Sequence, residues 1–279
     1  MTDTDPSALL KSSGVEPDES KDQYFLMDGR VLDRAVEYAE DIAPEATSVL
    51  EIGGGTGSLT SRLVDMYDDV TVIEKDPELV RWLGSRFDVD VVRGDFLETE
   101  VPEYDVSVSN LPYSASSPIL FELLPMENPA VLMLQKEFAD RLVAEPGTDD
   151  YGRLSVTAGH YAESEIAETV PRTAFKPQPD VESALVTLTP REPDYRLEDH
   201  GLFVDLLRGV FTQRRKTLRN AVQNTVHITD LDCRTGLDRK ELRDALPSEL
   251  AGKRPGKITP AGYAELANLF AEKDDGTDK

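Results

Sequence analysis

The segment from Glu51 to Gly57 combines an acidic side chain with closely spaced glycines, directly after an apolar run. Gly53, Gly55 and Gly57 allow the backbone to turn sharply and allow a bulky ligand to approach the main chain. The dinucleotide fingerprint has its third glycine at position 58, where this chain has Ser58. The pattern therefore predicts a strand-to-helix turn that binds a ligand of another class, with a purely structural turn as the alternative.

Two more acidic side chains follow the next two apolar runs. Glu74 comes directly after residues 70–73, and Asp95 lies just beyond residues 90–92. An acid at the end of the second strand of a doubly wound sheet accepts hydrogen bonds from ribose hydroxyls, and Asp95 could accept one from an adenine amine. Each acid alone could be a surface charge. Because the strand ends meet at one edge of such a sheet, Glu51, Glu74 and Asp95 together predict a nucleoside-cofactor site.

The residues Asn110 to Tyr113 follow the fourth apolar run and could hold an aromatic amine. The lone pair of such an amine is delocalised into its ring, so acceptors for both hydrogens are needed to make the nitrogen pyramidal. The side chain of Asn110 and the backbone carbonyl of Leu111 offer two acceptors, and Pro112 has no N–H to compete. Tyr113 offers a ring face for a flipped base. These four residues predict a site that reacts with an adenine amine. The alternative is that they form an ordinary turn.

Strands that alternate with helices must position these residues, which predicts an α/β fold with a mostly parallel, doubly wound sheet. The predicted strands are Ser48–Ile52, Val70–Ile73, Asp90–Val92, Val106–Ser109, Ala130–Leu134 and Glu182–Leu188. The predicted helices of this part lie from Val31 to Ile42 and near 58–67, 77–87, 116–124 and 136–143. After Pro190 the periodicity turns helical, near 201–226, 238–245 and 260–271.

The composition sets limits on the kind of protein. The net charge of −24, with 54 acidic against 30 basic side chains, favours a surface adapted to molar salt, with an acidic mesophilic protein as the alternative. The single cysteine, Cys233, excludes an intrachain disulfide and a cysteine-based zinc site, and only three histidines, widely separated in the sequence, argue against a histidine-rich metal site. With no signal peptide or long apolar run, we expect a cytoplasmic protein without a bound metal.

Charge and periodicity together predict three regions. Residues 1–20 are expected to be a flexible acidic tail, residues 21–190 a cofactor-binding catalytic domain, and residues 191–279 a small helical domain. The last region holds 16 basic and 16 acidic side chains, so the whole net charge of −24 lies in residues 1–190. Within residues 210–259 the count is 11 basic against 6 acidic. The two domains are therefore expected to serve different partners.

The ordered motifs resemble those of the ribosomal RNA adenine dimethyltransferases that modify the small ribosomal subunit. The spacing Glu-x-Gly-x-Gly-x-Gly is similar to that of methyltransferases that bind S-adenosylmethionine, and the resemblance extends from about Gln23 to Ala267. The matching segments are residues 23–26, 51–57, 110–113, 116–120, 134–137, 141–144, 151–155, 174–177 and 213–220.

The resemblance implies a Rossmann-like class I methyltransferase fold, S-adenosylmethionine as cofactor, and dimethylation of two adjacent adenosines near the 3′ end of small-subunit rRNA, linked to subunit maturation. It implies a monomer. It places Phe175 beside the target base and maps these residues onto the cofactor contacts: Tyr24, Leu26, Gly53, Glu74, Asp95 and Asn110.

The chain departs from the family pattern at a few positions. Tyr24 replaces a common Asn, so only a backbone contact is expected there, and Gly54 replaces a common Pro. Residues 110–113 are called the acceptor motif below. Directly after them, Ser114 and Ala115 replace the usual Asn and Ile, which could alter the pocket wall.

Basic side chains in the C-terminal region are predicted to contact rRNA phosphates, with a solvated helix face as the alternative. They are Arg214, Arg215, Lys216, Arg219, Arg239, Lys240, Arg243, Lys253, Arg254 and Lys257. Two other functions stay open. One is an assembly checkpoint that binds immature subunits, and the other is an adenine methyltransferase acting on large-subunit rRNA or on DNA.

Overall fold

The computed structural model describes residues 4–225, 229, 231 and 235–274. Cys233 lies outside the described residues. The chain forms two compact units: one contains the residues up to Asp140 together with Ala162–Pro190, and the other contains Arg141–Tyr161 and the residues from Arg191. Within the described ranges, no helix is long and apolar enough to cross a membrane.

The first unit is built on a seven-stranded sheet with the order β4-β3-β2-β5-β6-β9-β7. Its strands pair in parallel except at β9, which is antiparallel to both of its neighbours. A separate antiparallel pair joins β1 to β8. The strands are β1 (Phe25–Leu26), β2 (Ser48–Ile52), β3 (Asp69–Glu74), β4 (Asp90–Arg93), β5 (Val106–Asn110), β6 (Ala130–Gln135), β7 (Ala162–Val170), β8 (Phe175–Lys176) and β9 (Ser183–Pro190).

The strand order confirms the predicted fold class. The order reverses between β2 and β5, and ligands of open α/β sheets bind at such a switch point beyond the carboxyl ends of the strands. The helices of the first unit are α1 (Pro6–Ser13), α2 (Gly29–Ile42), α3 (Thr60–Met66), α4 (Pro77–Arg86) and α5 (Ser116–Leu123). The helix α6 (Lys136–Leu142) ends just beyond the first unit.

The N-terminal region differs from the flexible tail expected for residues 1–20. The carboxylate of Asp5 caps α1 by accepting hydrogen bonds from the backbone amides of Ser7 and Ala8. Leu9 is only 1% exposed, and the Arg62 guanidinium donates a hydrogen bond to the Thr4 carbonyl at 3.0 Å. The acidic composition led to the prediction of a tail, but this region contains a short amphipathic helix that is anchored to the first unit.

The second unit is helical and takes more of the chain than the predicted domain 191–279. It also includes residues 141–161, because Tyr151 and Val156 are buried in its core and the Tyr151 hydroxyl donates to the Ile258 carbonyl at 2.9 Å. The helical segment predicted near 201–226 is interrupted, since residues 213–217 separate α8 from α9. The helices are α7 (Arg153–Tyr161), α8 (His200–Thr212), α9 (Leu218–Thr225), α10 (Arg239–Asp244), α11 (Ser248–Ala251) and α12 (Pro260–Asp274).

Candidate active site

A cavity of about 350 Å³ opens in the first unit at the carboxyl ends of β2, β3 and β5. Its wall contains most of the residues predicted from the sequence for the cofactor. These are Tyr24, Leu26, Glu51, Gly53, Gly55, Glu74, Asp95 and Asn110. The topology explains this convergence, because the acids and Asn110 stand at or just beyond the ends of neighbouring strands.

The glycine-rich turn leads from β2 toward α3, and its glycines have different roles. Gly53 has a φ of 80° and would meet no atom closer than 3.9 Å with an added Cβ, so its backbone remains accessible in the cavity wall. Gly57 does not line the cavity, and a Cβ at this position would lie 2.2 Å from the Phe87 ring. Gly57 is therefore a packing glycine, which differs from its predicted role as a cofactor contact.

Glu51 is the most buried acid of the cavity wall, with only 1% of the residue exposed. The Thr60 hydroxyl donates a hydrogen bond to Glu51 Oε2 at 2.5 Å. Burial raises the pKa of Glu51 to about 8; the Thr60 hydrogen bond opposes this shift and the nearby Glu74 carboxylate adds to it. The Glu51 carboxyl is thus poised to change its ionisation near neutral pH.

The two other acids are held in place by backbone amides. Glu74 accepts hydrogen bonds from the amide of Gly55 at 3.0 Å and from the amide of Asp76 at 2.9 Å. Asp95 accepts one from the amide of Leu97 at 3.1 Å. A carboxylate oxygen can accept more than one hydrogen bond, so both acids can also receive the hydroxyl or amine donors of a nucleoside. Their fixed positions in one cavity fit an adenosine-containing cofactor.

Asn110 presents a buried acceptor without a partner. Its Nδ2 donates to the Tyr24 carbonyl at 3.2 Å, which orients the side-chain amide. Asn110 Oδ1 is buried and has no hydrogen-bond partner among the described residues. A buried polar atom without a partner costs about 1–3 kcal/mol, so it calls for a ligand group or an ordered water. The orientation leaves this oxygen available for an amine hydrogen.

Of the other residues of the acceptor motif, Pro112 lines the cavity, whereas Leu111 and Tyr113 do not. Leu111 is buried, at 2% exposure. The Tyr113 hydroxyl lies 2.6 Å from the Ser183 hydroxyl, and its ring stacks on Tyr24 with centroids 5.5 Å apart. The Tyr113 ring is therefore held in place by the Ser183 hydroxyl at its edge and by Tyr24 at one of its faces.

Phe175, predicted beside the target base, is not brought to the cavity. It lies in β8, pairs with Leu26 of β1, and is only 3% exposed within the hydrophobic core. The β1–β8 pairing buries its ring.

Sequence reasoning did not identify four further cavity residues shortly before β1 or after β3: Lys21, Asp22, Lys75 and Asp76. Lys21 Nζ and Asp76 Oδ2 form an ion pair at 2.9 Å. Asp76 caps α4 immediately before Pro77, a helix-start signature that could have placed it at this edge of the sheet.

The model of the ribosomal RNA adenine dimethylase family matches residues 18–249. The chain belongs to this family. The dimethyltransferase is 53% identical over 97% of its length to a probable ribosomal RNA small subunit methyltransferase A from Natronomonas pharaonis, covering 99% of that protein. It is 50% identical to a protein described in the same words from Haloarcula marismortui, over 96% of this chain and 95% of the relative.

Two solved structures resemble the dimethyltransferase. A dimethyladenosine transferase from Plasmodium falciparum matches with a TM-score of 0.73 and 30% identity, over 88% of this chain and 96% of that one. The 23S rRNA methyltransferase ErmE matches with a TM-score of 0.55 and 30% identity, over 90% and 99% of the two chains. Family membership confirms the predicted cofactor and reaction: S-adenosylmethionine-dependent dimethylation of adenine in ribosomal RNA.

The basic side chains predicted to contact RNA lie in the second unit, and three of them have partners within it. The Arg214 guanidinium donates to the Asp149 carbonyl, Lys257 Nζ donates to the Gly147 carbonyl at 3.2 Å, and Arg243 pairs with Asp244 at 2.7 Å. The others are exposed and form no ion pair with any residue the structure describes: Arg215, Lys216, Arg219, Arg239, Lys240, Lys253 and Arg254.

Proposed function

We propose that this dimethyltransferase acts on N6 of two adjacent adenosines near the 3′ end of small-subunit rRNA, within an assembling particle. The observation that carries the proposal is the buried oxygen of Asn110 in the cavity wall, which has no hydrogen-bond partner among the described residues. The choice of subunit is supported by the names of the relatives from Natronomonas pharaonis and Haloarcula marismortui.

The acceptor motif would activate the amine by position. Asn110 Oδ1 accepts one N6 hydrogen and the Leu111 carbonyl accepts the other, so that the nitrogen lone pair is directed out of the ring plane. The Tyr113 ring carries the flipped base, a contact worth about 1–3 kcal/mol in other stacking sites. Because positioning and electrostatics carry this chemistry, loss of one acceptor should slow the reaction strongly.

The cavity residues would hold S-adenosylmethionine, which supplies an activated methyl group when bound. Glu74 suits the ribose hydroxyls and Asp95 suits the adenine amine, because each carboxylate is already fixed by a backbone amide. The open backbone at Gly53 and the buried Glu51 complete the wall, together with Gly55, Tyr24 and Leu26.

The exposed basic side chains of the second unit would bind rRNA phosphates, and the protein would act as a monomer without a metal. Phosphate contacts weaken with salt, so at molar salt binding must also draw on shape and stacking. The excess of acidic side chains in residues 1–190 would repel rRNA at low salt, since like charges are then poorly screened.

The test is methyl transfer to unmethylated small subunits from labelled S-adenosylmethionine, with the digested nucleosides identified by mass spectrometry. Asn110→Ala is expected to reduce dimethyladenosine formation by about 100-fold or more. Asn128→Ala is the matched control, because Asn128 Nδ2 also donates to a carbonyl, that of Tyr104 at 2.6 Å, but does not line the cavity.

Each other outcome identifies an alternative. Product on large-subunit RNA or DNA, with none on small subunits, would refute the proposed substrate. No product on any nucleic acid, with the cofactor bound, would favour an assembly checkpoint. Equal activity of Asn110→Ala and Asn128→Ala would refute the role of the Asn110 oxygen.

A further inference from the structure

The segment Asp18–Tyr24 contacts two parts of the cavity wall. One is the cofactor side, at the end of β3, and the other is the acceptor side, at the loop after β5. It begins with a short 3-10 turn, Glu19–Lys21, which the Asp18 side chain caps through the Ser20 amide. Residues 20–24 all line the cavity. Lys21 reaches Asp76 beyond β3, whereas Asp22 reaches the loop after β5.

Asp22 makes the contact on the acceptor side. Its Oδ2 accepts a hydrogen bond from the backbone amide of Ser114 at 2.7 Å. Ser114 follows Tyr113 directly, so the carboxylate holds the end of the acceptor motif. A hydrogen bond to an ionised acceptor is shorter and roughly twice as strong as one between neutral groups.

The backbone of Asp22 is held in an uncommon conformation. Its φ of 59° and ψ of 33° lie in the left-handed region, which non-glycine residues rarely adopt. The Asp22 amide donates to the Glu19 carbonyl at 3.0 Å, which closes the 3-10 turn and turns the chain toward Ser114. This geometry directs the Asp22 carboxylate to the loop after β5 that carries the acceptor motif, here called the acceptor loop.

Tyr24 supports the same loop two residues later. Its carbonyl accepts the hydrogen bond from Asn110 Nδ2, and its ring stacks on Tyr113. Residues 22 and 24 therefore contact the acceptor motif at its first residue, at its aromatic ring and at the residue that follows it. These contacts join parts of the chain that are 86 to 92 residues apart.

We propose that Asp22 is a positioning residue for methyl transfer, which fixes the acceptor loop through the Ser114 amide so that Asn110 keeps its place in the cavity wall and the Tyr113 ring keeps its place against Tyr24. The proposal rests on the proposed function of the acceptor motif. Without the carboxylate, the exposed Ser114 amide would bond to water and the loop would lose one of its anchors. Since a displacement of about 1 Å can slow catalysis about 100-fold, a small loosening should be measurable.

The experiment compares Asp22→Ala, Asp22→Asn and a matched control, Asp105→Ala. Asp105 Oδ2 also accepts backbone amides, those of Thr47 at 2.8 Å and Ser48 at 2.9 Å, but it lies at the amino ends of β2 and β5 and does not line the cavity. Each variant is assayed for single-turnover methylation of small subunits, for S-adenosylhomocysteine affinity by calorimetry, and for hydrogen exchange in peptides covering residues 110–118.

Asp22→Ala is expected to slow methyl transfer about tenfold, with the S-adenosylhomocysteine Kd changed by less than about twofold and with faster exchange at Ser114. Asp22→Asn should recover most of the rate, because its amide oxygen can accept the same hydrogen bond. Asp105→Ala should keep the wild-type rate.

Three results would overturn the proposal: an unchanged rate in Asp22→Ala, an Asp22→Asn variant as slow as Asp22→Ala, or unchanged exchange at Ser114. A wild-type protein that does not methylate small subunits would refute the proposed function instead. The exchange measurement would still decide whether Asp22 holds the acceptor loop.

Discussion

The buried carboxyl of Glu51 makes the stability of this dimethyltransferase depend on pH in a direction that the structure specifies. Burial raises the pKa of Glu51 from about 4.5 to about 8. Because the folded pKa is above the unfolded one, the folded state binds the proton more tightly. The stabilisation from this proton is fully present below about pH 4.5 and is lost as the pH rises through 8.

The magnitude follows from the two pKa values. At about 1.4 kcal/mol for each pKa unit, the difference between 4.5 and 8 corresponds to about 5 kcal/mol in total. Between pH 5 and pH 7.5 the lost part is about 3 kcal/mol. Glu51→Gln removes the ionisation but keeps an oxygen that can accept the Thr60 hydroxyl hydrogen. Relative to wild type, this variant should therefore become more stable as the pH rises.

The assay is urea unfolding of wild type and Glu51→Gln at matched pH values between 5 and 9, at constant high salt. Subtracting the two free energies of unfolding removes the contributions of all other titrating groups, and the difference should grow by about 3 kcal/mol between pH 5 and pH 7.5. Parallel stability curves over this range would refute the reasoning. They would mean that Glu51 is ionised at a normal pKa, in contact with water or a counter-charge.

Two further predictions concern packing and charge. Gly57→Ala should lower the free energy of unfolding by about 3 kcal/mol, because the left-handed φ of 84° and the 2.2 Å approach to the Phe87 ring both oppose a Cβ. In a Phe87→Ala background, urea unfolding should show a smaller loss of stability from Gly57→Ala. An equal loss would show that overlap with the Phe87 ring is not a cause of the destabilisation. Methylation of small subunits should rise with KCl toward molar concentrations, because salt of about 1 M screens charges to within about 3 Å. A maximum near 0.1 M would contradict this expectation.

The sheet and the cavity could be predicted because local patterns determine them. The positions of β2 and β3 were predicted from apolar runs that end in glycine or an acid. The order of these runs placed Glu74 and Asp95 at the same edge of the sheet. The strand β7 was missed, because Glu163, Glu165 and Glu168 make Ala162–Val170 resemble a solvated surface segment. Its pairing with β9, which the sequence around it does not reveal, makes it a strand.

Gly57 and Phe175, two predicted site residues that are packed away from the cavity, have partners distant in sequence. Gly57 has the spacing of a ligand glycine, but its space is filled by Phe87, 30 residues later. The family resemblance implied that Phe175 lies beside the target base, but Phe175 pairs with β1 and is buried in the core. The contact of Asp22 with Ser114 spans 92 residues, and no local pattern announces it. Such contacts follow from the fold as a whole, so spacing alone cannot predict them.

The unpartnered oxygen of Asn110 connects the stability of the fold to its chemistry. Leaving this oxygen, which has no partner among the described residues, without any hydrogen bond would cost about 1–3 kcal/mol. The cost is recovered only when an amine hydrogen or an ordered water reaches the oxygen, so binding of a base that offers an amine at this point is favoured over binding of one that offers a carbonyl. A guanine or uracil would place an acceptor against an acceptor. The same oxygen that would activate adenine would therefore also exclude bases without an amine at that position, and selection of the base and catalysis would share one atom.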